Sequence, residues 1–117
     1  MKIHWLDEPE EHDYPAAESY LALLFPEDEA MYAAAQLRDA SMTRFKAKDI
    51  FRASGLPLLG VSNSHVEKNL KKIKDGEPLS PILLVRATDK VIVADGYHRI
   101  CAVYRHDEDA FIPTKIV

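Results

Sequence analysis

Asp95, Gly96, Tyr97, His98 and Arg99 stand side by side in a chain of 117 residues. The apolar run Val91-Ile-Val-Ala94 leads into them, and a helical spacing of apolar residues follows from Tyr97 to His106. A helix that starts straight after a buried strand presents backbone N–H groups with no intrahelical partner. Those donors and the helix dipole together make an anion site. Gly96, Tyr97 and His98 would supply backbone donors, and Gly96 would let a ligand approach closely. His98 and Arg99 would add charge, and arginine can hold a phosphate through two parallel bonds. The same residues also support a plainer reading. Asp95 would then cap the helix, Gly96 would make a turn, and Arg99 would form a surface ion pair.

Asp95 imposes a condition on any phosphate site. A carboxylate beside a bound phosphate repels it unless a cation lies between them. Asp95 must therefore either hold Mg²⁺ or work as an acid or base. With His98 it forms the candidate catalytic pair, and it is also the candidate metal ligand.

Several elements must position these residues. Asp13 is placed to cap a first helix, with Pro15 in its first turn and Tyr20, Leu21, Leu23, Leu24 and Phe25 as its buried side. Pro26 ends it. A second helix is expected from about Glu27 to Arg38, with acids in its first turn and Met31, Ala34, Ala35 and Leu37 inward. Met42 to Lys48 reads as a strand with Phe45 and Ala47 inward. Asp49 to Ser54 fits either a short helix closed by Gly55 or the tail of that strand. Gly55-Leu-Pro-Leu-Leu-Gly60 has the glycine spacing of a phosphate loop, but Val61-Ser62 stands where Lys-Ser/Thr is required. Ser64 and Glu67 fit a capping box, opening a helix with Val66, Leu70 and Ile73 as its stripe and Gly76 at its end. Two strands, Pro81–Val85 and Val91–Ala94, precede the site. A last strand, Phe111–Val117, carries Pro113, which suggests a sheet edge. The fold class expected is α+β: a small mixed sheet with packed helices and an N-terminal helical hairpin.

Charge is unevenly spread. Residues 1–40 hold ten acids and two basic side chains, whereas 41–117 hold thirteen basic and nine acidic ones. The overall charge of −4 argues against whole-protein attraction to nucleic acid or an anionic membrane. The stretch 44–74 is basic, and its lysines 68, 71, 72 and 74 could follow a nucleic-acid backbone. They lack interleaved aromatics, and a solvated face fits them as well. The acidic N-terminal segment could instead attract the basic body, mediate a homodimer or cover the site. No apolar run is long enough to span a membrane, and Met1–Leu6 turns acidic at once, so a cytoplasmic domain is expected. Cys101 is the single cysteine and falls on an apolar helix face, where a core role is expected. The histidines show no metal-ligand spacing.

From about residue 43 to 117, the order of elements and the core Asp95-Gly96-Tyr97-His98-Arg99 followed by a helix resemble the ParB/sulfiredoxin superfamily, which includes the ParB-like nuclease domain. Residues 1–42 lie outside the resemblance as an acidic helical extension. The resemblance implies a nucleotide whose phosphates sit at the helix start. Family members include CTP-binding partition proteins, ATP-using sulfiredoxins, a free-serine kinase and proteins described as nucleases. Tyr97 stands where sulfiredoxins carry the attacking cysteine, so their chemistry does not transfer. His65 stands where they carry a nucleotide-contacting lysine, and it joins the candidate phosphate or base contacts. The Asp-Gly-x-His-Arg form looks more like the kinase and hydrolase members than the partition proteins. The resemblance thus points to a nucleoside triphosphate with Mg²⁺ and to a phosphotransferase or phosphohydrolase. The alternative is a non-catalytic nucleotide-sensing or DNA-associated module.

Overall fold

The runs Ile82–Val85 and Val91–Ala94 contain no polar residue to face water, which marks strands covered on both faces. The structure, a computed structural model, describes residues 2–117 and shows that arrangement. In chain order the elements are α1 (Asp13–Leu21), α2 (Glu27–Asp39), β1 (Thr43–Lys46), α3 (Ala47–Ser54), α4 (Ser64–Asp75), β2 (Ile82–Arg86), β3 (Val91–Asp95), α5 (Tyr97–His106) and β4 (Phe111–Ile116). The strands form one mixed sheet in the order β1-β4-β2-β3. Only the β2–β4 pair is parallel.

Alternation along each strand splits the core in two. Ile82, Leu84, Val93 and Ile112 join residues of α3, α4 and α5 on one face. Leu83, Val85, Ile92 and Ala94 join Tyr14, Ala17 and Leu21 of α1 and Ala30 and Leu37 of α2 on the other. The N-terminal helix pair is therefore the second covering layer of the sheet. Ahead of it, Trp5 bridges in parallel to Leu79. Leu6 N–H donates to the Leu79 carbonyl and Leu79 N–H to the His4 carbonyl.

Several expectations need correction. Asp13 does not cap α1; it is the first helical residue and is buried. The helix ends at Leu21, so Tyr20, Leu23 and Leu24 are exposed, and residues 14, 17 and 21 form the buried face. In α2 the inward residues are Ala30, Ala34 and Leu37, while Met31 and Ala35 face solvent. Ala47 is buried but opens α3, because β1 stops at Lys46. The cap of α4 is Asn63, whose side chain accepts the N–H groups of His65 and Val66 at 3.0 and 3.2 Å. Ser64 already lies inside the helix. Pro113 is not on an edge strand, since β4 lies between β1 and β2. Its neighbours explain the tolerance. The β1 ladder covers residues 111–114 and the β2 ladder begins only at Thr114, so Pro113 is paired on one side alone. Among the described residues, no helix is long and apolar enough to cross a membrane.

Candidate functional site

Strand β3 delivers Asp95 to the end of the sheet, and Gly96 turns the chain into α5. Gly96 has φ +109° and ψ +16°, a region that L side chains avoid. A Cβ there would lie 2.6 Å from Ile82 Cγ2 and 3.0 Å from an Arg99 guanidinium nitrogen. The close approach that requires glycine is thus made by the protein's own β2 and Arg99. Gly96 is also the N-cap and has no side chain to cap with. Asp95 does not take over that task, because its carboxylate turns to Arg99 at 2.9 Å. The first-turn N–H groups of α5 are left facing the space in front of the helix.

That space is a polar cleft of about 200 Å³. Asp95 through Arg99 line one side, and His65 and Asn69 of α4 line the other. The six residues singled out from the sequence therefore meet, although 30 positions separate His65 from Asp95. The His65 and His98 rings lie 4.9 Å apart between centroids, tilted by 48°. Burial pulls the His98 imidazole below its usual range, and the nearby charges of His65 and Arg99 pull the same way. His98 is accordingly neutral at neutral pH and able to accept a proton. Asn69 was not foreseen. Its position one helical turn after His65 is the signal that would have found it.

Arg99 is also held by other groups of the protein. Its side chain is only 18% exposed. One terminal nitrogen donates to Asp95 and to the Pro81 carbonyl, at 2.9 and 3.3 Å, and lies 3.8 Å from Asp13 Oδ2. Its Nε is buried with no partner among the described residues. The guanidinium thus lines the cleft while one of its terminal nitrogens is held by Asp95 and Pro81. Asp13, from α1, is the functional candidate that sequence reasoning missed, since nothing local ties residue 13 to residue 99. Burial pushes the Asp95 carboxyl above the usual carboxylate range; Arg99 opposes the rise, and Asp13 adds to it.

The Tyr97 hydroxyl donates to the Pro57 carbonyl. Arg105 Nε donates to the Leu59 carbonyl at 2.9 Å, so α5 pins the preceding loop at two points. Cys101 is fully buried, and burial pushes its thiol above the usual range. Among the described residues no group of three His, Cys, Asp or Glu side chains converges, and the one carboxylate lining the cleft is already held by a guanidinium.

The basic stretch 44–74 is partly neutralised. Lys46 and Lys48 both reach Asp109, and Arg52 pairs with Asp49. Lys68, Lys71 and Lys74 line an open groove along α4 together with Glu67 and Asp75, and no aromatic ring lines it. No family model, curated protein or solved structure matches the chain.

Proposed function

We propose that this protein binds the phosphate group of a nucleotide in the cleft between the first turns of α4 and α5. The observation that supports this most is the uncapped start of α5 opening on a polar cleft shared with His65 and His98. At about 200 Å³ the cleft is smaller than the roughly 300–1,000 Å³ of a typical small-molecule site. It suits a phosphate chain, with sugar and base lying outside along α4. The resemblance of residues 43–117 to the ParB/sulfiredoxin superfamily favours the same ligand class and gives the fold its finer reading. Asp95 and His98 are the proton carriers of such a site, which makes phosphotransfer or phosphohydrolysis the activity to assay.

Thermal stability in the presence of ATP, ADP, CTP, GTP and inorganic phosphate, each with and without Mg²⁺, tests the proposal. A ligand at about a hundred times its Kd adds roughly 2.7 kcal/mol to the folded state. His65 is exposed, so His65→Ala should leave the melting temperature unchanged while weakening nucleotide binding about fivefold, the worth of roughly 1 kcal/mol. No shift with any ligand would remove the phosphate reading.

A further inference from the structure

Two carboxylates flank a single guanidinium at the base of the cleft. Asp95 Oδ2 accepts from Arg99 at 2.9 Å, and Asp13 Oδ2 lies 3.8 Å from the same nitrogen. If both carboxylates were ionised, the cluster would carry one unbalanced negative charge in a place largely shut off from water. A proton removes that charge. Hydrogen-bond directions decide where it sits. Ser80 Oγ accepts the Glu10 N–H at 3.1 Å and donates its own hydrogen to Asp13 Oδ2 at 2.5 Å. Asp13 is thus an acceptor at that oxygen, and it is 3% exposed. His12 Nε2 lies 3.4 Å from its other oxygen and also reaches Glu10. Asp13 thus meets Ser80 and His12, whereas Asp95 meets Arg99. The proton falls to Asp95, the carboxyl that lines the cleft.

We propose that Asp95 meets a ligand phosphate as a neutral carboxylic acid that donates a hydrogen bond, with Asp13 as the positioning residue that keeps the proton there. The inference rests on the phosphate reading of the cleft. It answers the repulsion between Asp95 and a phosphate without a metal ion between them. It also makes α1, which lies outside the family resemblance, part of the site. The upward push on the Asp95 carboxyl from burial and from Asp13 agrees with it. The other titratable groups facing Asp95 across the cleft are His98 on α5 and His65 on α4. Neither side chain is altered in any variant below.

The test is calorimetric titration of the full chain with ATP and with inorganic phosphate, free of divalent metal, between pH 5 and 8. In Asp13→Asn, Arg99 has one carboxylate partner, Asp95 ionises, and its charge faces the ligand. Affinity at pH 7 should fall about tenfold, one charge-assisted hydrogen bond being lost. It should recover as the pH drops and Asp95 is protonated. The double variant Asp13→Asn/Asp95→Asn should regain most of that loss, because asparagine is neutral and donates. A carboxyl NMR titration of Asp95 in the wild-type protein gives a second readout, which stands even if a variant fails to fold. A midpoint above pH 7 supports the proposal, and one in the ordinary carboxylate range overturns it. Unchanged affinity in Asp13→Asn, or a loss that the double variant does not rescue, also overturns it and leaves the phosphate reading intact. If the wild-type chain binds neither ATP nor phosphate at any pH, the phosphate reading fails, and the proposal fails with it.

Discussion

At position 96 a methyl group would sit 2.6 Å from Ile82 Cγ2, on a backbone already at φ +109°. Gly96→Ala must therefore meet left-handed strain of roughly 1–2 kcal/mol and overpacking of roughly 1–3 kcal/mol. We expect it to lower stability by about 2–4 kcal/mol in urea unfolding; a change within about 0.5 kcal/mol would show that the turn relaxes freely. The need for glycine here was legible in the sequence, because a strand must reverse into a helix within one residue. What crowds the glycine was not legible, since Ile82 is fourteen positions away and is brought in by strand pairing. Arg99 shows the same limit. Its type suggested a phosphate contact, and it does line the cleft; that Asp95 and Pro81 also hold it, beside Asp13, was not legible.

Helix α4 shows what decides an element's boundary. Asn63 and Ser64 are both good caps by type, and Ser64 had the added support of Glu67. The backbone leaves the extended region at Asn63 (φ −74°, ψ +122°), and its side chain takes the N–H groups of His65 and Val66. Asn63→Ala should then cost about 1 kcal/mol, and Ser64→Ala should stay within about 0.5 kcal/mol. Equal costs in thermal melts of the two variants would put the cap back on Ser64. The boundary matters to function because it sets which residues of α4 turn toward α5, and His65 and Asn69 are the ones that do. Pro113 carries a related lesson. A proline is excluded from a strand only where both sides are paired, and the offset between the two ladders of β4 leaves room for one.

Across the whole molecule, the acidic N-terminal part and the basic remainder are held together by apolar contact and by specific ion pairs. Leu21 and Leu37 are fully buried against Leu83, Val85, Ile92 and Ala94 of the sheet. Lys115 of β4 is also buried, donating to the Arg38 carbonyl at 2.8 Å and pairing with Glu8 at 3.3 Å. Asp13 and Arg99 make the second link. Leu37→Ala should cost about 2–5 kcal/mol as a buried cavity. If helix pair and sheet are one cooperative unit, urea unfolding of that variant stays a single transition by both fluorescence and circular dichroism. Two separated transitions would show that the helix pair comes off first.

The sequence by itself determined the elements and the composition of the candidate site. Local signals sufficed for both: Gly76 ending α4, a Gly-bounded strand-to-helix turn, apolar runs for the inner strands, and a run of five candidate residues at 95–99. The tertiary structure alone decided how the charges at that site are balanced. Burial faces were misread in α1 and α2 because several phases of a short helix look alike until a sheet selects one. Asp13 escaped notice because a carboxylate at a helix start has an ordinary local explanation. Only the packing of α1 against β3 places it beside Arg99, where water is scarce and an unpaired charge is costly enough to change what Asp95 can do.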